Sequence, residues 1–439
     1  MNNFIKIFFI VHAALFFLPT SGYAKENNIN KIESDIVESI LVNEKEAIKF
    51  LKKVVAVNSG TMNFEGVRKV SDLFAGQFQQ IGFKTEWVSA TQYNRAGHLV
   101  ASYGSKGPKI LMIGHLDTVF ASHGPFQTLT QVSPNRIKAP GITDMKGGDV
   151  IILEVLRALK KVALLEQFQI KVILMGDEEN RGRPVSEAAK ILIDAGAWAD
   201  VAMGFEDGDG DPKTAVVSRR GSSNWHLKTF GNAAHSSQIF QKEVGYGSIY
   251  EAARILQAFR IQLSSEEILT YNPGLIVGGT SAEIHSKSSA GKAFGKNNVV
   301  AKVTEVSGDI RAISPQQLKR AWTKMEEITA NSLPGTRSEI VFDEGYPPME
   351  ASSGNKKLLA LYSAVSMDHG FGKVIAVNPR NAGAADISFV AADVEMAIDG
   401  LGLMGKAGHT VNETADMTTF TQQSIRAAVL MSRLLEVYN

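Results

Sequence analysis

The sequence predicts an α/β protein whose main sheet is mostly parallel and flanked by helices, with a smaller α+β domain inserted into it. Short apolar segments alternate with longer helical patterns in the first half of the chain, which is typical of a sheet covered on both faces. The pattern becomes mainly antiparallel over residues 217–346, and a helical pattern resumes afterwards. We therefore expect a larger domain built from 25–216 and 347–439, with an insertion at 217–346.

The elements of the larger domain can be assigned in chain order. Apolar residues recur at helical spacing from Asn28 to about Val57. Four strand-like segments follow, at 98–103, 109–114, 170–176 and 200–205. Further helical patterns begin at Met145, span 354–369, and run from about Thr414 to Val437.

The inserted domain is predicted to contain a four-stranded antiparallel sheet and two helices. Its strands are predicted in the segments NWHLKTFG, GLIVGGTS, NVVAKVTEVSGDIRAI and SEIVFDE. Its helices are predicted at 247–263 and 315–332.

The N-terminal residues 1–24 have the features of a secretory signal peptide. Lys6 precedes an apolar run from Ile7 to Pro19, and small residues lead to Ala24, after which we expect cleavage. The alternative is an uncleaved membrane anchor, although the run is short for a span of about 20 residues. No later segment is apolar enough to cross a bilayer, so we expect an exported protein, periplasmic or secreted.

The composition excludes some classes of partner. The chain has no cysteine, so it forms no disulfide, which is compatible with a bacterial periplasm or exterior. Its net charge is +1, which argues against a nucleic acid or a membrane surface held by bulk electrostatics.

Acidic and histidine side chains cluster where the predicted strands end, and ligands bind at this edge of parallel sheets. Imidazole nitrogens and carboxylate oxygens bind zinc, and pairs of metal ions about 3.5–4 Å apart are common in hydrolases. We interpret the pattern as two zinc sites that share one carboxylate. The candidate residues are His115, Asp117, Asp144, Glu178, Glu179, Glu206, Asp207 and His409.

Each motif also has an interpretation without a metal. A single histidine at a strand end is usually structural, and Asp144 alone could cap the helix that begins near Met145. Glu206 and Asp207 alone could belong to a solvated loop. The following segment DGDGD resembles a calcium loop but lacks the glutamate that an EF-hand has at its twelfth position. The combination of motifs favours the metal site.

The motifs GHLDTV, TDMKGG and GDEE, in this order, resemble the co-catalytic zinc peptidase family that contains glutamate carboxypeptidase, aminoacylase and succinyl-diaminopimelate desuccinylase. The segment GFE is most similar to the glutamate carboxypeptidase branch. The resemblance implies that Asp144 bridges two zinc ions, for which cobalt or manganese could substitute. His115 and Glu206 would complete one site, and Glu179 and His409 the other.

The same resemblance implies roles around the metals. Glu178 would be the general base, which takes a proton from water and returns it to the leaving amine. Asp117 would hydrogen-bond the far nitrogen of His115. The peptide bond between Asp144 and Met145 would be cis.

The inserted domain would be the family's lid and dimerisation domain, so a homodimer is expected. His235 in GNAAHSS would reach the partner's active site and stabilise an oxyanion, unless it is an exposed loop histidine. Asn298 and Arg311 would bind the substrate carboxylate, although Arg311 could also be a strand-surface residue.

Segments near the substrate depart from the family. Tyr346 stands where the carboxypeptidase branch often has an arginine, and the loop from Asn381 to Ser388 lacks the family's run of three glycines. The resemblance therefore implies an exported dizinc metallocarboxypeptidase acting on a peptide or acyl-amino acid, with glutamate a candidate C-terminal residue. The alternatives are an N-acyl-amino acid amidohydrolase, an aminopeptidase, and a binding protein without activity.

Overall fold

The computed structural model of the protein describes residues 29–285 and 289–438. The predicted signal peptide, residues 1–24, lies outside them. Within the described residues, no helix combines the length and the apolar character that a bilayer span requires.

The helices and strands follow one another along the whole described chain. The helices are α1 Lys31–Val55, α2 Phe64–Gln80, α3 Gly147–Lys161, α4 Val185–Ala188, α5 Lys190–Gly196, α6 Gly247–Gln262, α7 Pro315–Ala330, α8 Ser353–Asp368 and α9 Thr418–Tyr438. The strands are β1 Lys84–Ser89, β2 Gly97–Tyr103, β3 Lys109–His115, β4 Thr130–Ser133, β5 Arg136–Lys138, β6 Gln169–Met175, β7 Val201–Gly204, β8 Thr214–Ala215, β9 Ser222–Gly231, β10 Thr270–Gly279, β11 Ser281–His285, β12 Ala290–Phe294, β13 Val303–Arg311, β14 Thr336–Tyr346, β15 Ile375–Ala376, β16 Met396–Ile398, β17 Gly405–Lys406 and β18 Thr414–Asp416.

The main sheet has six strands in the order β1-β2-β6-β3-β7-β16. Strands β6, β3, β7 and β16 are parallel, whereas β1 and β2 extend one edge in antiparallel pairing. Alternate side chains of β3 enter different cores, because successive residues of a strand point to opposite faces. Ile110 and Met112 pack in the larger core, and Leu111 and Ile113 pack in the smaller one. Both faces are therefore covered, as the sequence predicts.

The second sheet is antiparallel and has the order β10-β13-β9-β14. Helices α6 and α7 pack on one of its faces through a core that includes Trp225, Ile255, Phe259 and Met325. This arrangement confirms the predicted four strands and two helices. The hairpin β11–β12 was not predicted, and the domain limits at 216 and 346 stay a prediction.

A small sheet, β17-β18-β5-β4, joins distant parts of the chain. Strand β18 pairs with β5, and β17 pairs with β18. The loop between β17 and β18 carries His409, and the turn after β5 carries Asp144. The pairing therefore brings these two side chains to the same place.

Gly148 allows helix α3 to begin close to the end of β7. A Cβ atom at this position would lie 1.9 Å from the carbonyl oxygen of Phe205, the residue before Glu206. Any other residue would push the segment that carries Glu206 away from the turn that carries Asp144. The second glycine of the motif TDMKGG thus has a direct packing role.

Candidate metal centre

Two groups of metal-ligand side chains meet at the carboxyl edge of the main sheet. The first group is His115, Asp144 and Glu206, and the second is Asp144, Glu179 and His409. In each group, one ligand atom from every side chain lies within 4.8 Å of the others. Asp144 belongs to both groups and offers a different oxygen to each histidine. Its Oδ1 lies 3.0 Å from Nε2 of His115, and its Oδ2 lies 2.8 Å from Nε2 of His409.

Parallel strands explain why these residues converge. His115 ends β3, Glu179 follows β6 and Glu206 follows β7, so all three leave the sheet at one edge. Asp144 comes from the irregular turn 142–146 that precedes α3. The peptide bond between Asp144 and Met145 is cis, as the resemblance implied.

Asp117 fixes the turn that follows β6. Its carboxylate accepts hydrogen bonds from Thr61 Oγ1 at 2.6 Å and from the main-chain nitrogens of Glu178 and Glu179 at 3.0 and 3.2 Å. The expected hydrogen bond from Nδ1 of His115 to the carboxylate of Asp117 is not formed. Instead, Nδ1 lies 3.0 Å from the main-chain carbonyl oxygen of Asp117 and 3.6 Å from its carboxylate. The carboxylate therefore orients the two glutamates, while the carbonyl orients the imidazole.

Glu413 fixes the turn that carries Asp144. Its carboxylate accepts hydrogen bonds from the nitrogens of Gly141 and Thr143, both at 2.8 Å, from Thr143 Oγ1 at 3.1 Å and from the nitrogen of Asp144 at 3.3 Å. The sequence analysis assigned no role to this residue. Its position four residues after His409, in the segment HTVNE, is the signal that could have found it.

Asp399 supports the remaining ligand segment. Its Oδ1 accepts a hydrogen bond from the nitrogen of Glu206 at 3.2 Å, and its Oδ2 accepts one from Nε of Arg219 at 2.9 Å. Asp399 follows β16 on the outer edge of the parallel strands. It was not predicted either, since a single aspartate after a short strand has no distinctive pattern.

The electrostatics of the centre indicate a cation site. Desolvation raises the pKa of Glu178 well above its ordinary value, and the nearby carboxylate of Asp386 raises it further. Burial raises the pKa of Glu179 to about 7, and hydrogen bonds to Asp144 and Glu179 raise the pKa of His409 to about 11. One oxygen of Glu179, Oε1, is buried without a hydrogen-bond partner among the described residues.

Divalent cations would stabilise the charged form of these buried carboxyl groups. Carboxylates gathered in a partly buried site repel one another unless positive charge lies between them. The donors are imidazole nitrogens and carboxylate oxygens, a set that zinc accepts. The residues present therefore fit a pair of metal ions that share Asp144.

The remaining predicted residues lie in the second sheet and its loops. His235 is exposed, and its Nδ1 lies 2.8 Å from Ser237 Oγ. Asn298 lies beside this turn, because its carbonyl oxygen accepts a hydrogen bond from the nitrogen of Ser236 at 2.9 Å. Arg311 ends β13 and donates from Nε to Asp309 Oδ2 at 3.0 Å.

The structure thus brings His235 and Asn298 together, but not at the metal centre. Across residues 29–285 and 289–438, no hydrogen bond or ion pair joins His235, Asn298 or Arg311 to a ligand of either group. Their expected roles depend on a partner chain or a substrate and stay predictions.

An α/β sheet whose strand ends carry two donor groups with one shared carboxylate is the architecture of a co-catalytic metallohydrolase. The family described as "Peptidase family M20/M25/M40" matches residues 111–436, so the chain belongs to this family. It is a hydrolase of the metallopeptidase type.

Relatives cover nearly the whole chain. Carboxypeptidase G2 from Pseudomonas sp. (strain RS-16) is 23% identical over 426 residues, which are 95% of this chain and 96% of that protein. The crystal structure of aminopeptidase PepT from Bacillus cereus has a TM-score of 0.71 at 18% identity and covers 89% of this chain and 99% of that one. The YXEP protein of Bacillus subtilis, described as a dinuclear metal binding peptidase from the M20 family, has a TM-score of 0.61 at 14% identity, with 90% and 99% of the two chains covered.

Proposed function

We propose that the protein is an exported dizinc metallocarboxypeptidase that hydrolyses the amide bond before a C-terminal amino acid, with glutamate a candidate. The observation that carries the proposal is that Asp144 is shared by two donor groups while Glu178, next to a ligand, belongs to neither. Because its carboxylate belongs to neither donor group, Glu178 is free to accept and donate protons. The similarity to carboxypeptidase G2 over nearly the full length supports the choice of substrate class.

His115, Asp144 and Glu206 would hold one metal ion, and Asp144, Glu179 and His409 the other. Bound metal ions would supply Lewis acidity, which polarises the amide carbonyl and lowers the pKa of water.

Glu178 would move the proton. Its main-chain nitrogen is fixed by Asp117, so its carboxyl group is held beside the ligands. Burial raises the pKa of Glu178, and a carboxyl group with a raised pKa is suited both to accept and to return a proton. Glu178 would therefore take a proton from the attacking water and deliver it to the nitrogen of the leaving amine.

The substrate groups would be held from the second sheet. Arg311 has the planar fork that pairs with a carboxylate, and its Nε already contacts Asp309. His235 would come from the partner of a homodimer and stabilise negative charge on the carbonyl oxygen. Its exposure in the single chain is compatible with this role.

A substrate panel tests the reaction class. N-acyl-glutamate, N-acyl-leucine and free dipeptides should be assayed with the zinc-loaded protein, and we expect release of the C-terminal amino acid. Cleavage of N-acyl-amino acids but not of peptides would favour the amidohydrolase, and cleavage only of substrates with a free amino terminus would favour the aminopeptidase. Failure of every C-terminal amino acid substrate would contradict the proposal.

The general base is tested by Glu178→Gln. We expect turnover to fall by about 100-fold to 10,000-fold while two metal ions stay bound per chain. The matched control is Glu187→Gln, the same change at an exposed residue of α4, which should leave turnover unchanged. Undiminished turnover in Glu178→Gln would refute the role of Glu178.

The homodimer is tested by mixing two inactive variants. If His235 acts on the partner's site, a Glu178→Gln chain and a His235→Ala chain would form mixed dimers with one intact site. Activity should then reappear after the two are unfolded and refolded together. Wild-type activity of His235→Ala alone would show that His235 has no role, and no recovery from two inactive variants would show that it acts within its own chain.

Export is tested by N-terminal sequencing of the protein recovered from the periplasm or the medium. We expect the mature chain to begin at Lys25. A chain retained in the membrane with Met1 intact would favour the anchor.

A further inference from the structure

Tyr346 contacts the turn that follows β6 and carries Glu178. It is the last residue of β14, the strand that leaves the second sheet, and its hydroxyl donates a hydrogen bond to the main-chain carbonyl oxygen of Glu178 at 2.8 Å. Its ring packs against Phe389 with centroids 4.9 Å apart. The contact therefore links the strand that leaves one sheet to the turn that follows β6 in the other.

Arg181 determines which way the Tyr346 hydroxyl points. Its Nε and Nη2 donate to the hydroxyl oxygen at 3.2 and 3.0 Å. Since a hydroxyl has two acceptor positions and one hydrogen, two donors on the oxygen leave only the hydrogen for the carbonyl of Glu178. The orientation of the hydroxyl is thus specified by its neighbours.

Arg181 is itself held without freedom to turn. It is 6% exposed, and its Nη1 donates to Asp177 Oδ1 at 2.6 Å. Its Nη2 also forms an ion pair with the buried carboxylate of Asp386. A buried guanidinium fixed by two carboxylates is a rigid support, because breaking either pair would leave a charge unpaired in the interior.

The backbone of β14 delivers Tyr346 to this position. The pairing of β14 with β9 shifts register between Asp343 and Tyr346, so that Tyr346 lies opposite Ser222. A Cβ atom at Gly345 would lie 1.8 Å from the carbonyl oxygen of Ser222, so the close approach of the two strands requires glycine there. The irregularity turns the end of the strand towards the turn that carries Glu178.

We propose that Tyr346 is a positioning residue for Glu178 and that Arg181 acts through it. Glu178 is held at both ends of its main chain, with its nitrogen on Asp117 at 3.0 Å and its carbonyl oxygen on Tyr346 at 2.8 Å. Neither contact involves the carboxyl group that would move the proton. Two fixed points on the main chain restrict the positions that this carboxyl group can reach. The inference rests on the proposed function, in which Glu178 is the general base.

The first test is Tyr346→Phe, which removes the hydroxyl and keeps the ring that packs on Phe389. We expect kcat to fall by between about 5-fold and 100-fold, because small displacements of a catalytic group are costly. KM should stay within about twofold, since Tyr346 acts on the base and not on bound substrate. Metal content should remain two ions per chain.

The matched control is Tyr362→Phe. Tyr362 is also buried, and its hydroxyl makes a comparable hydrogen bond to Gln423 Oε1 at 3.0 Å, in the core between α8 and α9. We expect this variant to lower the melting temperature without changing kcat. A fall of kcat in both variants by the same factor would show a general loss of stability and would overturn the proposal.

The second test is Arg181→Lys, which keeps the charge between Asp177 and Asp386 but cannot donate two hydrogen bonds to Tyr346 from a planar fork. We expect the same fall in kcat with unchanged KM, and no further fall in the double variant with Tyr346→Phe. Wild-type kcat in both single variants, or a rise in KM at unchanged kcat, would overturn the proposal. A wild-type protein inactive on the whole substrate panel would instead refute the proposed function.

Discussion

The two donor groups share Asp144 but differ in their surroundings. His115 is 1% exposed, ends a central strand, and has its Nδ1 fixed by a main-chain carbonyl. The side chain of His409 is 58% exposed and lies in a loop where its φ is 61°. Of the two ring nitrogens of His409, only Nε2 has a partner within the part of the chain that the structure describes.

The difference indicates two metal positions of unequal strength. A histidine whose far nitrogen is hydrogen-bonded is held in one tautomer and one orientation, and loss of such a partner typically weakens metal binding by about 10-fold to 100-fold. The group of His115 has this support and the group of His409 lacks it. We therefore expect the buried position to bind its ion more tightly and the exposed position to exchange more readily.

The largest expected effect is a difference in metal content between variants of His409 and His115. After gel filtration in metal-free buffer, His409→Gln should retain about one zinc ion per chain, because the supported group of His115 stays complete. His115→Gln should retain less than one, because only the exposed group is left. Atomic spectrometry of the purified variants measures both. Equal metal content in the two variants would contradict the comparison.

The second effect is a pH dependence that appears when metal is removed. Burial raises the pKa of Glu179 from 4.5 to about 7, so its contribution to stability is complete below pH 4.5 and is lost as the pH rises through about 7. The contribution of His409, whose pKa is raised to about 11, is lost only at higher pH. The chelated protein should therefore become less stable between pH 4.5 and 7, and added zinc should restore stability.

Thermal unfolding of chelated and zinc-loaded protein across this range measures the effect. The variant Glu179→Gln, which lacks the titrating carboxyl group, should show a smaller decrease without metal. A chelated wild-type protein whose melting temperature is constant or rises from pH 5 to 7 would exclude the explanation.

The smallest effect concerns the support of the shared ligand. Glu413→Gln keeps one acceptor oxygen but loses the charge that holds four donors around the turn of Asp144. We expect zinc affinity to fall by about 10-fold to 100-fold at both positions. Competition with a chromophoric chelator measures the affinities, and Glu436→Gln, at an exposed residue of α9, is the control. A loss confined to one position would show that Glu413 does not act through Asp144.

The sequence was sufficient to predict the metal-ligand residues that converge at the strand ends. His115, Glu179 and Glu206 each follow an apolar strand, and their meeting follows from the parallel order of those strands. The four-stranded sheet was also predictable, because each of its strands has its own local pattern.

The supports of the site were not predictable in the same way. Glu413 and Asp399 act by accepting main-chain hydrogen bonds from segments far away in the sequence. No local pattern reveals such a contact for Asp399, and the only sequence signal for Glu413 is its position four residues after His409. Tyr346 could be recognised as a departure from the family, but its contact to Glu178 depends on a register shift in β14. Helix α2 and the hairpin β11–β12 were missed as well.

The order of the ligands along the polypeptide separates the two donor groups. His115, Asp144, Glu179 and Glu206 all precede the second sheet, whereas His409 and Glu413 follow it. The donor group of His115 is therefore complete by residue 206, whereas the donor group of His409 also needs a segment from beyond the second sheet. A fragment that ends before residue 409 lacks His409 and would hold at most the ion of the His115 group.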